Sequence, residues 1–84
     1  MASIHVCYRG PLMEATGVES EALSVNTVRD IIKHIKGKYG ADAEKVAKAM
    51  LIAIDGESIL LRKSFATKLT EGETVQFFPI CGGG

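Results

Sequence analysis

Residues 3–9, Ser-Ile-His-Val-Cys-Tyr-Arg, set Ile4, Val6 and Tyr8 at alternate positions with His5 and Cys7 between them. A period of two predicts a strand with one buried face, stopped by Gly10-Pro11. Residues 18–25 alternate less cleanly around Val18, Ala22, Leu23 and Val25. They read as a second strand, folded back on the first as a hairpin through the loop that holds Gly17. The period then changes. Val28, Ile31, Ile32, Ile35 and Tyr39 recur at the spacing of one helical stripe, with Arg29, Lys33 and Lys36 on another face. Thr27 suits the N-cap of this helix, and Asp30 suits the positive end of its dipole. Gly37 to Gly40 marks the expected stop. Residues 41–50 form a shorter helical stretch with Val46, Ala47 and Met50 on its apolar side.

Residues 51–54, Leu-Ile-Ala-Ile, are a continuous apolar run too short for a helix, and so a buried strand. Asp55-Gly56 is a strong turn signal. Residues 59–61 are read as a short strand and residues 69–72 as a turn. Residues 74–80 form the last strand, with Val75 and Phe77 on one side and Gln76, Phe78 and Ile80 on the other. Nothing repeats and no linker divides the chain. Residues 1–80 are therefore taken as one domain and residues 81–84 as a flexible glycine tail. The order of hairpin, helix, hairpin-like strands and final strand implies an α+β, two-layer fold. Its mixed sheet is covered on one face by one main helix, with the last strand beside the first. That is the β-grasp arrangement, and the sheet's other face stays partly open.

Composition narrows the functions available. A chain of 84 residues has room for one core and none for a separate cofactor domain. Ten Lys and Arg balance ten Asp and Glu, which removes the main electrostatic argument for nucleic acid or an anionic membrane. No apolar run approaches the roughly 20 residues of a membrane span. The start, Met-Ala-Ser-Ile-His-Val, lacks the basic and apolar regions of a secretory signal. Two cysteines are too few for a disulfide scaffold, so a reducing cytoplasm is the default.

Little conventional chemistry is on offer. His5 and His34 have no companions at ligand spacing, so no metal site is expected. Cys7 reads as a packing residue in mid-strand. If the first and last strands are parallel neighbours, Cys7 and Cys81 would come near enough to pair under oxidation, which a cytosolic setting disfavours. Cys81-Gly-Gly-Gly84 lacks the aliphatic residues of a prenylation box. No catalytic triad or phosphate loop can be assembled, so no bound cofactor is expected. The basic face of the helix reads as solvated surface.

The tail stands apart. Phe77-Phe78-Pro79-Ile80-Cys81-Gly82-Gly83-Gly84 runs from a strand straight to the last residue. Pro79 stops strand pairing where the tail must leave the sheet. Phe78 and Ile80 point to the uncovered face, an apolar spot suited to a partner. Residues 81–84 span roughly 13 Å when extended, narrow enough for a tight channel. The reactive group at the tip is the carboxylate of Gly84. It becomes an acyl donor only after activation, which requires an ATP-using partner.

Here the chain resembles a known family. Leu69-Thr-Glu-Gly72-Glu73-Thr-Val75-Gln-Phe77-Phe78-Pro79, followed by Gly83-Gly84, is similar to the signature of the MoaD/ThiS sulfur carriers, which are ubiquitin-like β-grasp proteins. The resemblance extends back through residues 51–54 and the Thr27 helix. Length and the Phe-Phe-Pro run are closest to the small subunit of molybdopterin synthase. The resemblance implies a cosubstrate, without catalytic activity of its own, that acts in a molybdopterin synthase-type complex. A ubiquitin-activating-type adenylyltransferase would activate Gly84 with ATP, and a sulfur donor protein would convert it to a thiocarboxylate. Gly82 and Gly83 would then carry the tip into a larger synthase subunit. Phe78 matches one partner-contacting position and Ile59 or Leu60 another; Ile80 joins them as part of the exposed apolar spot. Glu73 in place of Asp, Asp55-Gly56 in place of Asn, Cys81 and Gly82 depart from the pattern. Two other readings stand beside the carrier: a ubiquitin-like modifier conjugated through Gly84, and a non-covalent interaction module.

Overall fold

A computed structural model describes residues 1–61 and 63–80. Strand β1 (Ala2–Cys7) pairs antiparallel with β2 (Ser20–Val25) on one side and parallel with β5 (Thr74–Phe78) on the other. Strand β3 (Leu51–Ile54) lies antiparallel to β5, and the two-residue β4 (Glu57–Ser58) completes the five-stranded order β2-β1-β5-β3-β4. The first and last strands are therefore parallel neighbours at the centre, as the element order requires.

Helix α2 (Val28–Tyr39) begins where expected. The Asp30 amide donates to Thr27 Oγ1 at 3.3 Å, and the Asn26 and Thr27 amides both donate to Asp30 Oδ2 at 3.1 Å. This capping box satisfies donors that a helix start otherwise leaves open. Burial pushes the Asp30 carboxyl up, but the two amide donations from Asn26 and Thr27, with the Thr27 side chain and the nearby Lys33 charge, outweigh it and hold the carboxyl below its usual range. Gly37 lies within the helix, and Gly40 ends it. Val28, Ile31, Ile32 and Ile35 are buried against Ile4, Val6, Ile54, Val75 and Phe77 of the sheet. Helix α3 (Ala41–Lys48) follows at once and buries Ala43 and Ala47. Its Val46, expected on the apolar side, is only partly buried.

Two elements correct the sequence reading. The β1–β2 connection is not a bare loop: it contains a helix, α1 (Pro11–Thr16), which buries Leu12 beside α3. Pro11 sits in its first turn, where the missing N–H costs nothing, and Gly17 caps it in the left-handed conformation. As a result β2 starts at Ser20, and Val18 lies outside it. Residues Ile59–Leu61 form a 3₁₀ turn rather than a strand. A second 3₁₀ turn, Ser64–Ala66, follows. β5 ends at Phe78, so Pro79 and Ile80 lie beyond the sheet.

Candidate functional site: the root of the tail

The proposed tail, Cys81, Gly82, Gly83 and Gly84, lies outside the described residues. Its root does not. Three supports fix where the chain leaves β5. Phe78 is paired with Leu51 of β3. The Arg9 guanidinium lies over the Phe78 ring, 5.4 Å from its centre, a cation–π contact. Pro79 stands against Gly10: a Cβ there would lie 3.4 Å from Pro79 Cγ.

Ile80 is 65% exposed and Leu60 72% exposed, and both line a shallow apolar pocket of about 240 Å³. Leu51, 39% exposed, joins them, with Met50 and Phe65 deeper in the wall. Most exposed leucines and isoleucines are isolated, but these share one depression immediately before the tail. Exposed apolar side chains that cluster in this way are candidates for an interaction surface, where singly scattered ones are not. Phe78, half-buried, sits beside it on the sheet face that no helix covers.

The four residues expected at a partner surface thus divide. Phe78, Ile80 and Leu60 present side chains to solvent, whereas Ile59 is 4% exposed and belongs to the core. The 3₁₀ turn explains the split, turning Ile59 inward and Leu60 outward. Leu51 was missed because a continuous apolar run does not show which end emerges at a sheet's open face.

The other candidates gain no chemistry. His5 and Cys7 lie on the open sheet face and line a polar cavity of about 400 Å³ with Arg9 and Glu19. Among the described residues no three His, Cys, Asp or Glu side chains are grouped to hold a metal ion. Cys7 lies opposite Gln76 of β5, while Cys81 is outside the described residues. His34 serves structure: its Nε2 donates to Glu21 Oε2 at 3.1 Å. Tyr8 Oη at 2.6 Å and Lys38 Nζ at 2.7 Å donate to the same carboxylate. No helix among the described residues is long and apolar enough to cross a membrane.

Comparison with known proteins agrees with this geometry. The ThiS family model matches residues 6–84, and the chain belongs to that family. It is a small sulfur-carrier, ubiquitin-like protein by class. Small archaeal modifier protein 1 from Methanosarcina acetivorans superposes with a TM-score of 0.85 at 24% identity, covering 100% of this chain and 98% of that one. A chain of the complex of subunits 1 and 2 of molybdopterin-converting factor from Helicobacter pylori gives 0.70 at 20% identity, covering 98% and 99%. One from the BexX/CysO complex of Amycolatopsis orientalis gives 0.80 at 17%, covering 96% and 99%. At these identities the likeness shows the ubiquitin-like β-grasp fold. No curated protein sequence matches the chain.

Proposed function

We propose that this protein carries sulfur on Gly84 for cofactor biosynthesis, with molybdopterin as the product it fits best. The observation that carries the reading is the apolar surface of Leu60, Ile80 and Leu51 at the root of a Gly-Gly-Gly end. A carrier needs a handle that a partner grips and a thin end that the partner's active site admits, and these adjoin. The Gly84 carboxylate attacks ATP in an adenylyltransferase, releasing pyrophosphate and forming an acyl-adenylate. A sulfide equivalent from a sulfur donor protein then displaces AMP, leaving a thiocarboxylate. A larger synthase subunit receives the tail and takes the sulfur. The setting is the cytoplasm, and the chain itself holds no cofactor.

A second reading has its own support. Likeness to an archaeal modifier protein at a TM-score of 0.85 favours conjugation of Gly84 to lysine amines. Both readings share the activation step and divide at the acceptor. Incubating the protein with a cognate activating enzyme, ATP and a sulfur donor should yield, by intact mass, the gain of one oxygen-to-sulfur exchange on the C-terminal peptide. Activation without that gain, together with isopeptide adducts in cell lysate, would replace the carrier with the modifier. Absence of activation by an enzyme proven active would remove both.

A further inference from the structure

Lys33, Lys36 and Arg29 were read from the sequence as solvated surface, but they rim a groove. It runs between α2, α3 and the 3₁₀ turn at Ser64–Ala66, with a volume of about 410 Å³. Its floor is apolar, made by Ile32 and Phe65. Lys48 closes the far wall, beside the groove's one carboxylate, Glu44, which it meets at 3.8 Å. Asp30, at the start of α2, attracts Lys33 but is already engaged by the amides of Asn26 and Thr27. Among the described residues, Arg29, Lys33 and Lys36 meet no carboxylate within ion-pair distance. The groove therefore keeps a positive rim in a protein whose formal net charge is zero.

Its position adds a second argument. Phe65 and Lys48 line this groove and also the apolar pocket that holds Leu60 and Ile80. The two depressions are one continuous surface, apolar at the tail root and cationic further round. We propose that the groove docks an acidic segment, with an apolar anchor, of the adenylyltransferase that activates the tail. The proposal rests on the carrier reading for the identity of that protein, and on the groove itself for its chemistry. An aliphatic or aromatic side chain fills the space over Ile32 and Phe65, while flanking Asp or Glu residues meet Arg29, Lys33, Lys36 and Lys48. Charge complementarity of this kind speeds encounter and sets orientation more than it adds affinity. That role fits a carrier which must dock tail-first and then leave. Nucleic acid is the less suitable occupant: the groove offers Arg29, Lys33, Lys36 and a Lys48 already beside Glu44, few cations for tracking a phosphate backbone, around a floor that is apolar.

The test uses the full-length protein labelled with nitrogen-15 and three probes. These are a synthetic acidic helical peptide with a leucine anchor, the same peptide with lysine in place of its acids, and an oligo-dT strand. The acidic peptide should shift the amides of Arg29, Ile32, Lys33, Lys36 and Phe65, and the lysine peptide should not. Its affinity should fall about tenfold in the double variant Lys33→Glu, Lys36→Glu, and again between about 50 and 300 mM salt. In ATP-dependent activation the same variant should raise KM about tenfold with kcat unchanged. A native amide spectrum of the variant shows that the fold survives. Absence of groove shifts with the acidic peptide, or an unchanged KM, overturns the proposal. Tighter binding of oligo-dT at these residues overturns it in favour of nucleic acid. If the wild-type protein is not activated at all, the carrier reading fails, and the peptide titration still decides the groove.

Discussion

Glu21 faces inward from the edge strand β2, where an apolar residue would be the ordinary choice. Its carboxylate is 10% exposed and ties the sheet to α2 by accepting from Tyr8, Lys38 and His34. Burial alone would raise its pKa, but the bonds from Lys38 and Tyr8, then the neighbouring Tyr39 and His34, outweigh it and bring the value down to about 2 from an ordinary 4.5. The same contact acts oppositely on the donors. Burial first, then Glu21, pushes the Tyr8 phenol up, and the bond to Glu21 raises Lys38. A depressed folded pKa means the carboxylate stabilises the fold fully above pH 4.5 and loses that contribution as pH falls toward 2. Glu21→Gln should therefore cost about 2 kcal/mol at pH 7, the scale of hydrogen bonds to a charged group. Urea titrations of both proteins at a series of pH values should show the gap closing below pH 4.5. A gap that stays constant to pH 3 would mean that shape, not charge, is what Glu21 contributes. The cluster was not visible in the sequence. Tyr8, His34 and Lys38 lie 13 to 17 residues from Glu21, and strand alternation says only that position 21 faces inward.

Among the elements, the legible ones were those whose period or length decides the matter without help from tertiary contacts. β1, α2 and β5 each repeat one spacing for several residues, β3 is an apolar run too short for a helix, and the Thr27–Asp30 box was readable from residue types alone. The 3₁₀ turn at Ile59–Leu61 was not, because a strand and a 3₁₀ turn both send Ile59 and Leu60 to opposite sides. Helix α1 was missed because Gly10-Pro11 is equally a turn signal; six residues carry too little period to override it. That short helix matters to the site, since its leading residues brace the tail root. Gly10 has φ +53° and ψ −127°, a conformation that a side chain resists, and Pro79 packs on it. Arg9, next to it, covers Phe78. Gly10→Ala should cost about 1–3 kcal/mol through backbone strain. The added methyl would sit in ordinary contact with Pro79, 3.4 Å from Cγ, so the loss should come from the loop rather than from a clash. Amide shifts at positions 78 and 80, larger than those in β2, would show that the loop and the tail root move together. Shifts confined to α1 would separate them.

On the carrier reading, the whole molecule pairs a packed handle with the glycine end that follows Ile80 in sequence. Ile4, Val6, Tyr8, Ile35, Val75 and Phe77 close the interior before the chain reaches Pro79. Ile80 and Leu60 contribute little to that interior, being 65% and 72% exposed. Stability and function should therefore be separable by mutation, which is unusual in so small a protein. Deleting Gly83 and Gly84 should leave the urea midpoint unchanged to within about 0.5 kcal/mol, as for surface changes generally. It should abolish activation completely, since no carboxylate then reaches the adenylating site. Leu60→Asp should be equally silent in urea, yet raise the KM for activation or transfer about tenfold, because truncating or charging an apolar anchor typically costs more than 1 kcal/mol of binding. The two variants fail differently: the first loses kcat at any concentration, and the second is rescued by excess protein. An interaction module with an incidental tail predicts the reverse ranking, with Leu60→Asp inactive and the deletion untouched. Urea unfolding and saturation kinetics on one pair of variants thus test whether the apolar root and the glycine end act as handle and cargo site.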